Sequence, residues 1–267
     1  MNSMATTRSC AGLCSPLGFP AMGVVELLLV RHGESAGNVA AARAAQDGAE
    51  LIEVPSRDAD VELSETGREQ AWALGEGLGR LPAERRPDAV WCSTYVRAQQ
   101  TAQLALEAAG LDLKVRLDER LRDRELGVLD MLTVAGVEAR FPEEAARRRW
   151  LGKFYHRPAG GESWADLALR MRSLMVDLDR FQGGERMLLV CHDAIVMTFR
   201  YVCEGLTESQ VLGIAHDEPV RNVSLTRLVR EPDSPEWTLD AYNDVSHLEK
   251  RDVEVTESKG DSRAVPE

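Results

Sequence analysis

The sequence lacks any run of about 20 consecutive apolar residues, the length that a helix needs to cross a bilayer. It is therefore not predicted to span a membrane. The first 23 residues also lack a secretory signal, because Gly, Ser and Pro interrupt each apolar run before it can form a hydrophobic signal core. These absences predict a cytoplasmic protein.

Cysteine is scarce, with five residues in a chain of 267. The five are scattered, and a chain of this length can bury a full hydrophobic core without disulfide bonds. Cys10 and Cys14 are close in sequence, but no second Cys or His pair with zinc-finger spacing accompanies them. Reduced thiols and the absence of a bound metal are therefore predicted.

Basic residues are outnumbered by acidic ones, 32 against 44, which gives a formal net charge of −12. Over most of the surface this charge repels nucleic acids and anionic membranes, so neither is predicted as a partner. Binding of a small phosphorylated molecule would require a local cluster of basic groups. The sequence contains no heptad pattern, and no prediction of oligomeric state follows from it.

The chain divides into three parts by composition and by the periodicity of its apolar residues. Residues 1–22 have no helical or strand period and are predicted to be a disordered leader. Residues 249–267 are rich in charge, Ser and Gly, and are predicted to form a disordered tail. Residues 23–248 have the apolar periodicity of one folded domain.

Strand-like and helical patterns alternate within this domain. Helix starts are predicted at Thr66 and Ser163, and residues 222–229 and 237–242 are predicted to be closing antiparallel strands. The alternation predicts an α/β fold, a three-layer sandwich with a mostly parallel central sheet and helices on both faces. Four aliphatic runs have the character of strands in such a sheet: residues 24–30, 89–92, 114–117 and 187–191.

Basic and imidazole side chains follow the predicted strands directly. Arg31 and His32 come after the first strand, with Gly33 expected to permit a sharp turn, and His192 comes after the fourth. Arg97 lies near the start of the helix that follows the second. Ligands of such sheets bind beyond the carboxyl ends of the strands, so these side chains are predicted to lie at the edge where a ligand would bind.

Residues 29–35, LVRHGES, with Asn38 resemble the phosphohistidine signature of the histidine phosphatase (phosphoglycerate mutase-like) superfamily, which is Arg-His-Gly-Glu followed by Asn. The resemblance extends over about residues 24–229. Further motifs of that family follow in its order: LSETG at 63–67, STYVRA at 93–98 with Thr101, GES at 161–163 and CH at 191–192.

The resemblance implies a covalent mechanism. His32 would attack phosphorus and form a phosphohistidine, which water would then hydrolyse. Arg31, Arg97 and an imidazolium at His192 would neutralise the charge on the transferring phosphoryl group. The family's chemistry requires neither a nucleotide nor a metal, so no cofactor is predicted.

The leaving oxygen needs a proton, and three carboxylic acids remain open as its source. Asp123 lies four residues before a glycine, at the position where the family usually has Glu. Glu125 would share the face of Asp123 if the segment is extended. Asp193 follows the second histidine, where one branch of the family has an acid, and it is also a candidate substrate contact. Glu34 and Asn38 match further positions of the opening motif and are predicted to bind substrate or orient the nucleophile.

The activity implied is hydrolysis of a phosphomonoester. A phosphoglycerate mutase-type phosphoryl transferase is an alternative, but the family's mutases have a longer insertion before the GES motif than residues 128–160 provide. A catalytically weak, phosphate-binding regulatory protein is a second alternative, because Asp replaces Glu at position 123. Residues 128–160 are predicted to cover the pocket, with Arg148 and Lys153 selecting an acidic or multiply phosphorylated substrate.

Overall fold

The computed structural model describes residues 23–257 except residues 182 and 233, so the predicted leader lies outside the described residues. No helix in this part of the chain is long and apolar enough to cross a membrane. The strands are β1 (Glu26–Arg31), β2 (Ala89–Cys92), β3 (Val115–Leu117), β4 (Arg186–Cys191), β5 (Leu225–Val229) and β6 (Thr238–Asp244). The helices are α1 (Ala36–Gln46), α2 (Glu65–Gly79), α3 (Val96–Ala109), α4 (Val134–Arg140), α5 (Pro142–Tyr155), α6 (Trp164–Asp179), α7 (Asp193–Cys203), α8 (Glu208–Asp217) and α9 (Ser246–Glu249).

The six strands form one sheet in the order β3-β2-β4-β1-β5-β6. Strands β1, β2, β3 and β4 pair in parallel, and β5 and β6 are antiparallel to their neighbours. The predicted α/β fold with a mostly parallel sheet is confirmed. The central pair β1 and β4 places Arg31 opposite Cys191, so the residues that follow both strands emerge at the same edge.

Helices cover both faces of the sheet. In β1, Leu27 and Leu29 pack on one face with α6, α7 and α8, whereas Leu28 and Val30 pack on the other with α2 and α3. Successive side chains of a strand point to opposite faces, so a strand covered on both sides needs apolar residues at each position. This explains the uninterrupted aliphatic run.

The two predicted helix starts have different outcomes. Helix α6 begins as predicted, with Ser163 accepting a hydrogen bond from the backbone N–H of Asp166 in a capping box. Helix α2 begins earlier than the prediction at Thr66, because the Ser64 side chain accepts from the Gly67 N–H and caps the helix instead. Both residues can cap a helix, and the chain entry into α2 selects Ser64.

The prediction of a disordered tail from residue 249 is wrong for residues 249–257. Val253 packs against the apolar cluster on the α2 side of the sheet, and the backbone and side chain of Thr256 hydrogen-bond to the domain. These contacts order the segment even though its sequence is polar. The rest of the predicted tail, residues 258–267, lies outside the described residues.

Candidate active site

The sheet brings the two predicted histidines together. His32 follows β1 and His192 follows β4, and because these strands are parallel neighbours the two imidazole ring centroids lie 5.1 Å apart, edge to face. His32 is 3% exposed and His192 is completely buried. Arg31, the last residue of β1, donates from Nη1 to the carbonyl oxygen of Val220 at 2.5 Å.

Gly33 has a structural role different from the sharp turn that its sequence position predicts. A Cβ atom on Gly33 would lie 2.5 Å from the carbonyl oxygen of Gly67, and one on Gly67 would lie 1.9 Å from that of Glu34. Both distances are impossible, so the two glycines allow the nucleophile loop and the start of α2 to touch backbone to backbone. The contact therefore requires glycine at both positions 33 and 67.

A backbone carbonyl fixes the tautomer of His32. The Nδ1 atom lies 2.7 Å from the carbonyl oxygen of Gly33, which can only accept, so Nδ1 carries the proton. The Nε2 lone pair is therefore available, and it accepts a hydrogen bond from Nε of Arg97 at 3.2 Å. An imidazole held at one nitrogen and unprotonated at the other is arranged as a nucleophile.

Arg97 is held by a carboxylate that the sequence did not single out. Asp58 accepts from Nη1 of Arg97 at 3.0 Å and from Nη2 at 3.2 Å, and its backbone carbonyl accepts from Nη1 at 2.6 Å. Nη2 also lies 3.3 Å from Oδ2 of Asp123. The guanidinium, only 4% exposed, is thus fixed beside His32.

Asp123 lies between the second histidine and Arg97. Its Oδ2 is 3.2 Å from Nδ1 of His192, and its Oδ1 accepts from the backbone N–H of Arg124 at 2.8 Å. The other ring nitrogen of His192, Nε2, lies 2.9 Å from the hydroxyl of Ser93. His192 therefore contacts Asp123 on one side and a hydroxyl group on the other.

Burial and neighbouring charges shift the pKa values of these groups. Burial lowers the pKa of His32 well below its usual range, and the positive charges of Arg97 and Arg31 lower it further. Burial also lowers the pKa of His192, against the opposing effect of Asp123. For Asp123, burial is outweighed by His192 and Arg97, which hold its pKa well below the usual range. A phosphate dianion would raise all three pKa values.

We expect the free energy of unfolding to fall as the pH is lowered from 7.5 to about 5.5. The unfolded chain takes up protons on its histidines near pH 6.5, whereas His32 and His192 in the folded chain do so only at lower pH. Their contribution to stability is therefore present above the unfolded pKa and is lost as the pH falls below it.

Urea unfolding at the two pH values measures this loss. The variant His32→Gln has one fewer buried histidine. Its free energy of unfolding should therefore decrease less between pH 7.5 and about 5.5 than that of the wild type. Equal decreases in the wild type and the variant would contradict the assignment.

The remaining predicted residues fall into two groups. Asn38 and Asp193 line the cavity beside His32. Asn38 also completes the capping box of α1 with Ser35, and Asp193, the first residue of α7, accepts a hydrogen bond from the N–H of Ala194. Glu34 and Glu125 are not among the lining residues. Glu34 accepts a hydrogen bond from the Ser64 hydroxyl at 2.6 Å, and Glu125 accepts one from that of Tyr95 at 3.3 Å.

The cavity in front of His32 has a volume of about 530 Å³. Arg31, Arg97 and Asp123 line its inner end, and apolar side chains such as Leu126, Met131 and Met197 line its walls. His192 is not part of the lining, because Asp123 and His32 cover it. The cavity can hold a phosphoryl group at one end and an organic group of moderate size beside it.

Residues 128–160 contribute to this cavity, but only one of the two basic residues proposed to select the substrate does so. Lys153 lines the cavity and lies over the ring of Trp164, with Nζ 5.3 Å from its centroid. Arg148 is buried, 7% exposed, and is not among the lining residues. Substrate selection by Arg148 is therefore not supported.

Sequence reasoning missed two residues of the site. Ser93 could have been found, because it directly follows β2 and so lies at the same edge of the sheet as His32. Asp58 gave no such signal. It lies in a short turn, Asp58–Asp60, and only tertiary packing brings it to Arg97.

Known proteins resemble this chain in both sequence and fold. The family model described as histidine phosphatase superfamily (branch 1) matches residues 27–245. A 2,3-bisphosphoglycerate-dependent phosphoglycerate mutase from Methylobacterium radiotolerans is 33% identical over 188 residues, covering 69% of this chain and 82% of that protein. A metal-independent phosphoserine phosphatase from Arabidopsis thaliana is 28% identical over 84% of both chains.

A solved structure shows the same relationship. Mycobacterial glucosyl-3-phosphoglycerate phosphatase, in complex with VO3, superposes with a TM-score of 0.64 at 30% identity, covering 82% of this chain and 99% of that one. The relatives thus include both phosphatases and mutases. The family match, the parallel sheet and the convergence of Arg31, His32, Arg97 and His192 at its edge lead to one conclusion: the chain belongs to branch 1 of the histidine phosphatase superfamily.

Proposed function

We propose that this protein hydrolyses a phosphomonoester through a phosphohistidine formed on His32. The observation that carries the proposal is the state of that imidazole. Gly33 holds the proton on Nδ1, which leaves Nε2 unprotonated beside Arg97 at the inner end of the cavity. The lowered pKa keeps this nitrogen nucleophilic at neutral pH.

The reaction has two transfers. In the first, a bond forms between Nε2 of His32 and phosphorus, while the bond from phosphorus to the ester oxygen breaks and that oxygen leaves as an alcohol. Arg31 and Arg97 neutralise the phosphoryl oxygens during this transfer. In the second, a water oxygen attacks phosphorus, the phosphorus–nitrogen bond breaks, and inorganic phosphate is released with His32 restored.

Asp123 is the proposed acid for the leaving oxygen. Of the three candidates, it alone both lines the cavity and contacts Arg97. Its carboxylate is ionised in the free site, and a bound phosphate dianion raises its pKa so that it takes up a proton. It gives this proton to the leaving alcohol and then accepts one from the attacking water.

Hydrolysis is proposed in preference to a mutase reaction. The cavity of about 530 Å³ is large enough to admit water beside the phosphohistidine after a small alcohol has left. The alternative has support from the mutase from Methylobacterium radiotolerans, so the test must separate the two activities.

The test compares two products from the same enzyme without added metal. One assay measures inorganic phosphate released from an aryl phosphate and a panel of phosphorylated metabolites, and the other measures conversion of 3-phosphoglycerate to its 2-isomer in the presence of 2,3-bisphosphoglycerate. Phosphate release without isomerisation is expected. Isomerisation faster than phosphate release would establish a mutase, and neither activity would favour a regulatory protein.

We also propose that the protein acts in the cytoplasm on a small phosphorylated molecule. The thiols of Cys92, Cys191 and Cys203 are free, as expected in a reducing compartment. The acidic surface repels nucleic acids, while the arginines are concentrated at the inner end of the cavity.

Replacement of Lys153 by methionine tests substrate selection at the cavity wall. We expect KM to rise about tenfold for substrates with a second anionic group, because their contact with the ammonium is lost. A neutral aryl phosphate should show little change. Arg147→Met is the matched control, since Arg147 is exposed on the same helix and is not among the lining residues. Equal effects on both substrates would count against a role for Lys153 in selection.

A further inference from the structure

Every backbone N–H and carbonyl group of the nucleophile loop, residues 32–34, forms a hydrogen bond. Two of these bonds come from amide side chains that reach the loop from elsewhere in the chain, those of Asn222 and Gln70. The bonds are His32 N–H to Cys191 O at 2.9 Å, Asn222 Nδ2 to His32 O at 2.9 Å, Gly33 N–H to Thr101 Oγ1 at 3.0 Å, His32 Nδ1 to Gly33 O at 2.7 Å, Glu34 N–H to Gln70 Oε1 at 2.9 Å and Ser64 N–H to Glu34 O at 2.9 Å.

The two amides must face the loop with opposite ends. Asn222 presents its NH₂ group to a carbonyl, whereas Gln70 presents its oxygen to an N–H. Both side chains are completely buried, so no bulk water can replace a lost bond. The bond to the loop opposes rotation of each amide, and a partner at the other end of the amide opposes it further.

One hydroxyl group fixes both amides from the side opposite to the loop. The Oγ1 atom of Thr256 accepts from Nε2 of Gln70 at 2.8 Å and donates to Oδ1 of Asn222 at 3.1 Å. The backbone adds two more bonds: the Glu254 carbonyl accepts from Nε2 of Gln70 at 2.9 Å, and the Thr256 carbonyl accepts from the N–H of Asn222 at 3.0 Å. With this hydroxyl in place, each amide has a single orientation that satisfies all its partners.

We propose that Thr256 is a positioning residue for the nucleophile, acting through Asn222 and Gln70 on the backbone of residues 32–34. The inference rests on the proposed function of His32. Thr256 is remote from the phosphoryl pocket and does not line the cavity. Its effect reaches the reaction because Asn222 holds the His32 carbonyl and Gln70 holds the Glu34 N–H on either side of Gly33.

Loss of the hydroxyl would act on the position of His32. Without it, the buried Oδ1 of Asn222 loses its donor, and the side chain can turn toward another donor only by releasing the His32 carbonyl. The loop then shifts, the Gly33 carbonyl no longer aligns with Nδ1, and Nε2 leaves its place beside Arg97. Phosphate binding depends on Arg31 and Arg97, whose contacts with Val220 and Asp58 lie outside this network.

The test is Thr256→Val, which keeps the shape of the side chain and removes the hydroxyl. We expect kcat to fall about tenfold with KM within about twofold, because the nucleophile is misplaced while the phosphate contacts remain. Thr256→Ser should restore kcat. The matched control is Val255→Thr, the reverse change at the adjacent, exposed position, which should leave kcat unchanged. All variants are assayed well below their melting temperatures.

Nitrogen-15 chemical shifts of the His32 ring provide a readout that does not depend on turnover. They should show a hydrogen-bonded Nδ1–H in the wild type and Thr256→Ser, and a shifted Nδ1 signal in Thr256→Val, where the bond to the Gly33 carbonyl is weakened. Wild-type nitrogen shifts together with wild-type kcat in Thr256→Val would overturn the proposal and leave the proposed function intact. If the wild type itself releases no phosphate, the proposed function fails, and the nitrogen shifts still decide the role of Thr256. Thr256→Ala serves as a second variant if the valine is not tolerated.

Discussion

Replacing His32 by alanine is expected to lower phosphate release by about 10⁴-fold or more, because the variant loses the atom that bonds to phosphorus. Arg31 and Arg97 remain in place, so binding of inorganic phosphate should persist. Among residues 23–257 apart from 182 and 233, the imidazole hydrogen-bonds to the adjacent Gly33 and to Arg97, and we expect the fold to tolerate its loss. The measurement is the initial rate of phosphate release by each protein.

The covalent intermediate supplies the control for this result. Phosphorus-labelled substrate should leave a protein-bound label in the wild type that is lost in acid and stable in base, as phosphohistidine is, and no such label in His32→Ala. Binding of inorganic phosphate by the variant shows that the site is intact. Phosphate release by His32→Ala above about a hundredth of the wild-type rate would contradict the role of His32 as nucleophile.

Replacing Asp123 by asparagine should have an effect that depends on the leaving group. For an alkyl phosphate, whose alcohol must be protonated as it leaves, we expect kcat to fall about 10² to 10³-fold. For p-nitrophenyl phosphate, whose phenolate leaves without a proton, the decrease should stay within about tenfold. The comparison of the two substrates isolates proton donation from the other effects of the substitution.

The two competing acids provide matched controls, because Glu125→Gln and Asp193→Asn make the same change from carboxylate to amide. Neither should show the dependence on leaving group. A uniform loss with both substrates in Asp123→Asn would mean that the carboxylate only orients Arg97 and His192. A leaving-group effect in Asp193→Asn would move the acid to that position, which also lines the cavity.

The meeting of His32 and His192 at one edge of the sheet could be predicted, because it depends on two local signals in the sequence. An aliphatic run identifies a buried parallel strand, and the residue after it must emerge at the carboxyl edge of the sheet. This logic placed His32 and His192 correctly, and their ring centroids are 5.1 Å apart. It would have placed Ser93 equally well, since that residue follows β2.

The parts that sequence reasoning did not predict depend on tertiary contacts with no local pattern. Asp58 reaches Arg97 from a short turn, and Thr256 reaches Asn222 from a polar segment predicted to be disordered. The lowered pKa of His192 was not predicted either, because it follows from complete burial. Burial and long-range contacts follow from the assembled fold, whereas a motif shows only which residue types are present.

The site residues come from parts of the chain that are far apart in sequence, and this matters for partly folded forms of the protein. Strand β4 lies between β1 and β2, so His32 meets His192 only after a long intervening stretch of chain has folded and β4 has inserted into the sheet. Such pairings between distant parts of the chain are slow to form, because the entropy of closing a long loop is lost before they stabilise the structure. A molecule in which β4 has not paired with β1 therefore has no assembled phosphoryl pocket, and the appearance of activity marks the pairing of these two strands.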